Sequence, residues 1–276
     1  MRPDLIRFSP VMMVAGALLT IPSTFGVVLH NQIRRARKQV LLPRPGYTVD
    51  LEVCYPWSEG ATLRVAMIGD SLVEGVGAPL MEQSLPAQTA YRLAAHLGRP
   101  VHLRGYGVAS SKTADVIRDQ VPQLDRQVDL VIAVVGGNDA TGIRSPWDFA
   151  RDVEQLVLQA HARTGAPVVL TGLPHLSSVP LLDRPLRDVA GVLGDGLHTV
   201  QVWVAQRLAA AHLADVRAGV GKAFHRRREL FSPDRYHPGP LGYALLGEVL
   251  AAETARIHRK VEASGAPAQP EESAAA

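Results

Sequence analysis

Arg64-Val65-Ala66-Met67-Ile68-Gly69-Asp70-Ser71-Leu72-Val73-Glu74-Gly75 joins a short apolar run to an acid, a serine and glycines. A run that is apolar at nearly every position fits a strand covered on both faces. Similar runs occur at Val101–Leu103, Leu130–Val135 and Val168–Thr171, with a weaker one at Ala214–Ala218. Longer amphipathic stretches separate them: Met81–Leu97, Thr113–Leu124, Trp147–Arg163 and Leu186–Ala211. A last one, Leu241–Arg259, follows the fifth run. Strand-helix alternation predicts an α/β protein: a five-stranded parallel sheet between two helical layers, with right-handed crossovers. In such sheets ligands sit beyond the carboxyl ends of the strands. Ser71, Gly107 and Asn138 follow the first, second and third runs, so three chain segments deliver candidate groups to one rim.

The 276 residues suit one domain with a sizeable core, once the first forty are set apart. Hydrophobic residues make up 47% and charged residues 20%, which excludes a disordered chain. The net charge of +3 comes with no basic stripe interleaved with aromatics, so a nucleic-acid partner is not expected. Cys54 is the one cysteine and forms no internal disulfide.

Val11 to Leu29 carries no charge and is mostly apolar. As a helix it would rise roughly 28 Å, close to the hydrocarbon thickness of a bilayer. No small-x-small cleavage site follows, so the segment reads as a single membrane span rather than a signal peptide. Arg34, Arg35, Arg37 and Lys38 outnumber Arg2 and Arg7 on the other side. The positive-inside rule then places the following domain on the cytoplasmic side, with an exported domain as the alternative. The expected organisation is a membrane segment with its basic flank over 1–40, a lead-in over 41–62, the folded domain over 63–261 and a disordered tail over 262–276. A short strand is expected near Tyr47–Val53 within the lead-in.

Alone, Ser71 is equally an N-cap. Asp234-Arg235-Tyr236-His237-Pro238, just ahead of the last helix, changes the weighing. A serine hydroxyl is a weak nucleophile until a base takes its proton. An imidazole does this when a carboxylate fixes its tautomer and stabilises the imidazolium. Asp234, three residues before His237, can reach back to Nδ1 and leave Nε2 for Ser71. Attack on an ester turns the carbonyl oxygen into an oxyanion, which fixed donors stabilise. Gly107 and Ser71 can offer backbone N–H groups, and Asn138 a side-chain N–H. Each of these residues is an ordinary turn residue by itself; four in this order are not.

Gly69-Asp70-Ser71-Leu72, Gly107, Gly136-x-Asn138-Asp139 and Asp234-x-x-His237-Pro238 together resemble the four blocks of the GDSL, or SGNH, hydrolase family. The resemblance covers residues 64–259. It implies a flavodoxin-like three-layer α/β/α fold and hydrolysis of esters or thioesters through an acyl-enzyme. It also implies roles: Ser71 as nucleophile, His237 as base, Asp234 as its partner, and Ser71, Gly107 and Asn138 as the oxyanion hole. One departure is Gly105, where many members have asparagine two residues before the glycine.

Competing motifs fail. Val73 stands where the nucleophile elbow needs glycine. Neither a dinucleotide fingerprint nor a phosphate loop is present, and the other histidines lack metal-ligand spacing, so no cofactor or metal is expected. Arg226-Arg227-Arg228 reads as a solvated face, with an anionic-substrate contact as the minority reading. Trp147 and Phe149 read as helix-start packing. The expected protein is a membrane-anchored serine esterase acting on a small acyl ester or a lipid. An O-acyltransferase using the same site, and a non-catalytic membrane-tethered binding module, are the rival readings.

Overall fold

The computed structural model describes residues 24–39 and 44–265. Its centre is a six-stranded sheet built from β1 (Asp50–Val53), β2 (Leu63–Gly69), β3 (Val101–Gly105), β4 (Leu130–Val134), β5 (Val168–Thr171) and β6 (Ala211–Ala214). The spatial order is β1-β3-β2-β4-β5-β6. The five strands β2 to β6 are parallel, and β1 runs antiparallel along the β3 edge. Taken alone, the parallel five follow the flavodoxin-like order, in which the chain leaves its first strand in both directions. That switch point lies between β2 and β4, where Gly69 is paired with Val134.

Alternation along the strands feeds two apolar layers. Val65 and Met67 of β2 point into one, with Leu130 and Ile132 of β4. Ala66 and Ile68 point into the other, with Val131 and Ala133. The first layer is covered by α3 (Leu85–Leu97), α8 (Val216–Arg226) and α9 (Pro240–Ala263). The second is covered by α4 (Thr113–Asp119), α6 (Pro146–Thr164) and α7 (Leu186–Arg207). Two short helices, α2 (Ser71–Glu74) and α5 (Gly137–Thr141), sit directly after β2 and β4 at the carboxyl rim.

The sheet differs from expectation in two places. The edge strand β1 is a sixth member. The last strand is Ala211–Ala214 rather than 214–218, and Val216–Arg226 is a helix. The reason is local: the Asp215 side chain accepts from the Ala218 N–H at 3.2 Å and caps α8. At the far end, Glu262 and Ala263 belong to α9, and Glu262 pairs with Arg99 at 3.2 Å. The rest of the expected tail, 266–276, lies outside the described residues.

The front end requires a larger correction. Residues 11–23 of the expected membrane span lie outside the described residues. Its last six residues are instead the start of α1 (Thr24–Gln39), which continues through the basic cluster. α1 lies against the domain and meets α7. Among the described residues no helix is long and apolar enough to cross a membrane.

Candidate active site

Gly69 ends β2 at φ +155°, and a Cβ there would stand 2.3 Å from the Val134 carbonyl oxygen. Glycine is therefore required for the chain to turn off the sheet beside β4. The buried Gln120 side chain fixes this turn. Its Oε1 accepts from the Gly69 N–H at 2.8 Å, and its Nε2 donates to the Gly69 carbonyl at 2.8 Å. Asp70 then caps α2 by accepting from the Leu72 N–H at 3.0 Å. Ser71 becomes the first residue of α2, with its side chain buried at the rim. Gln120→Leu removes both partners from a buried amide. It is expected to lower stability by about 2–4 kcal/mol, read as a shifted urea midpoint at constant slope.

The acid and base arrive in one turn ahead of α9. The Ser232 N–H donates to the His237 carbonyl at 2.8 Å. Inside this turn Asp234 Oδ1 accepts from Ser232 Oγ (2.6 Å), the Tyr236 N–H (2.9 Å) and the His237 N–H (3.0 Å). Its other oxygen, Oδ2, faces His237 Nδ1 at 2.6 Å. His237 Nε2 lies 3.0 Å from Ser71 Oγ. The turn is seated on Gly77, at φ +94°, where a Cβ would be 2.4 Å from the Pro238 carbonyl oxygen. The Tyr236 ring meets the imidazole edge to face at 5.0 Å.

Burial alone would raise the Asp234 carboxyl. Hydrogen bonds from His237, Ser232 and Tyr236 more than offset it and hold the group at about 2. An ionised carboxylate can only accept, so His237 Nδ1 is the donor and Nε2 offers its lone pair to Ser71. A lowered folded-state pKa stabilises the fold above the unfolded value near 4, and this contribution is lost as pH falls through about 2. Wild type should therefore lose on the order of 2 kcal/mol more than Asp234→Asn between pH 4 and 2. Denaturant midpoints measured across that range check this.

Asn138 stands on α5, and its Nδ2 donates to Asp70 Oδ2 at 3.3 Å and to the Ser111 carbonyl at 3.1 Å. Burial raises Asp70 to about 6, against the pull of the Leu72 N–H and His237. The neighbouring Asp139 accepts from Thr113 Oγ1 at 2.8 Å and from the Thr113 N–H at 3.1 Å, tying α5 to α4. The Gly107 loop runs over α2 so closely that a Cβ at 107 would be 2.3 Å from the Glu74 backbone nitrogen. With Gly105 in place of asparagine, other groups support this loop. The Tyr106 N–H donates to the Met67 carbonyl (2.8 Å), the Val108 N–H to the Gly69 carbonyl (3.2 Å), and the Ala109 N–H to the Glu74 carboxylate.

Ser71, His237 and Asn138 open into one cavity of about 810 Å³. Its walls include Leu173, Leu176, Val179 and Leu182 from the loop after β5, and His175 borders it too. Trp147 is exposed, whereas Phe149 is buried beneath Gly136. The Arg226–Arg228 run is exposed and lies off the cavity walls. Among the described residues no group of His, Cys, Asp or Glu side chains is placed to hold a metal ion.

Comparison with known proteins points to one family. A family model described as GDSL-like lipase/acylhydrolase matches residues 67–245. A GDSL-like esterase of Mycobacterium tuberculosis is 28% identical over 201 residues, covering 68% of this chain and 60% of that protein. The chain thus spans somewhat less than two thirds of that relative's length. An extracellular lipase from Streptomyces rimosus shares 21% identity at a TM-score of 0.56, covering 70% of this chain and 99% of the lipase. A phospholipase A1 from Streptomyces albidoflavus shares 19% at 0.55, covering 70% and 100%. These two likenesses speak to the fold.

Proposed function

The chain belongs to the GDSL-like lipase/acylhydrolase family, and from that premise we propose that it hydrolyses carboxylic esters or thioesters through an acyl-enzyme on Ser71. The observation that supports this most directly is the continuous chain from Asp234 Oδ2 to His237 Nδ1 (2.6 Å) and from His237 Nε2 to Ser71 Oγ (3.0 Å). It opens into an apolar cavity large enough for an acyl group.

Ser71 Oγ attacks the acyl carbonyl as His237 Nε2 takes its proton. The carbonyl π pair moves onto oxygen. The backbone N–H of Ser71, the Gly107 N–H and Asn138 Nδ2 are the donors proposed to hold that charge. Asn138 reaches the oxyanion by giving up its longer bond, the 3.3 Å contact to Asp70. The oxyanion then collapses, the bond to the leaving group breaks, and His237 gives that group the proton. Water repeats the sequence on the acyl-enzyme, with the same imidazole as base. The hydrolase domain proposed for this work runs over 63–261.

An alkyl fluorophosphonate tests the reading directly, because it traps a serine only when a base activates it. Mass spectrometry of the labelled protein should place one adduct on the peptide containing Ser71. Folded protein that takes up no label at Ser71 would count decisively against the proposal and in favour of a binding module.

A further inference from the structure

The cavity beside Ser71 is closed by a helix that the motif blocks do not include. Gly26, Leu29, Ile33 and Ala36 of α1 all border it, with His30 the one polar side chain of that helix among them. Their spacing places them on one helical face. Leu186, Val189, Ala190 and Leu193 of α7 also border it, at the i, i+3, i+4, i+7 spacing of one helical face. Two apolar stripes that face each other normally pack side chain into side chain. Here both stripes border one cavity, about 810 Å³ in all, whose walls also include the nucleophile.

α1 is held in place by a polar device as well. Gln32 Nε2 donates to the Arg184 carbonyl at 2.8 Å, and Gln32 Oε1 accepts from the Leu186 N–H at 3.1 Å. Leu186 is the first residue of α7, whose N-terminus has no side-chain cap of its own. One amide thus satisfies an orphan donor of α7 and fixes the distance between the two helices. The opposite face of α1 shows the contrast, with Val27 and Val28 exposed to solvent.

We infer that α1 and α7 form the two walls of an acyl-chain channel, and that Leu29, Ile33 and Val189 make the site selective for a long, lipid-length acyl group. The inference rests on the ester-hydrolase reading of Ser71 and adds the substrate class. The chemistry of the walls decides the occupant. They offer an alkyl chain dispersion contacts and removal from water along its length, with Ser71, His237 and Asn138 grouped at the reacting end. Each methylene accommodated adds to transition-state binding when the chain is already seated as the carbonyl reacts.

The test is kcat/KM for p-nitrophenyl acetate, butanoate, octanoate, dodecanoate and palmitate, using the 276-residue chain in one fixed detergent. The expected result is a rise of about fourfold per methylene through the middle of the series, matching ~0.8 kcal/mol per buried CH₂. Ile33→Trp and Val189→Trp, which fill the channel from opposite walls, should each lower the dodecanoate-to-acetate ratio by about tenfold or more. Val28→Asn, on the solvent face, should leave that ratio as in wild type. A flat or falling length profile with Ser71 still labelled by fluorophosphonate overturns the channel and leaves the hydrolase reading standing. So does an unchanged ratio in a folded tryptophan variant. Loss of every ester activity and of labelling in folded wild type overturns the hydrolase reading, and the channel with it. If neither tryptophan variant folds, the wild-type length profile decides.

Discussion

Ser71→Ala is expected to reduce kcat/KM for a p-nitrophenyl ester by on the order of 10⁴-fold or more, with complete loss of fluorophosphonate labelling. The size follows from what the substitution removes. Oγ is the atom that forms the acyl bond, and no other hydroxyl is described within reach of His237 Nε2. What survives is binding and any oxyanion stabilisation by backbone donors, which alanine at 71 retains. The fold should tolerate the change. Asp70 still caps α2, Gln120 still clamps Gly69, and only one hydrogen bond to an imidazole facing the cavity is lost. A thermal midpoint within a few degrees of wild type is therefore part of the prediction. A variant that kept a tenth of the wild-type rate would remove Ser71 from the chemistry altogether.

Asp234→Asn is expected to cost on the order of 10⁴-fold in kcat with KM little changed, for a different reason. Asparagine preserves a carbonyl oxygen for the donors now held by Asp234 Oδ1, so the turn around His237 keeps its shape. The amide nitrogen then occupies the place of Oδ2 and donates toward Nδ1. That forces the imidazole into the tautomer with its proton on Nε2, aimed at Ser71. A ring in that state cannot accept the hydroxyl proton, and nothing stabilises the imidazolium if it forms. The measurement is steady-state kinetics on a water-soluble ester together with the chemical shifts of the His237 ring nitrogens. Loss of rate without a tautomer change would mean that Asp234 acts by some other route.

Much of this arrangement is legible in the amino-acid order because its parts are local. The central strands are covered on both faces, so they read as unbroken apolar runs. Asp234 and His237 sit in one turn, so their spacing alone brings them together. Ser71, Gly107 and Asn138 each follow a strand by a few residues, and the parallel sheet gathers them at one rim. The misses have the opposite character. Gln120 clamps Gly69 from 51 positions away, and no periodicity announces such a pairing. β6 is a half-buried edge strand of four residues, too weak a pattern to separate from the Val216 and Val220 that follow. The Asp215 cap was the available signal for α8. α1 was misread because Phe25 to Leu29 continue an apolar run. An amphipathic wall and the end of a membrane span look alike until the partner helix is in view.

The seat of the histidine turn on Gly77 has a consequence for how such a protein ages through mutation. Because acid and base travel together on one short turn, divergence cannot easily pull them apart. Between base and nucleophile, the alignment exposed to drift is the contact of that turn with the strip of backbone that follows α2. A single methyl group at 77 would wedge that contact open, whereas dozens of replacements in the outer helices would leave it shut. Lineages of this architecture can thus lose much of their shared identity and stay in working order, so long as the reacting side chains and the bare Cα positions at 69, 77 and 107 are spared.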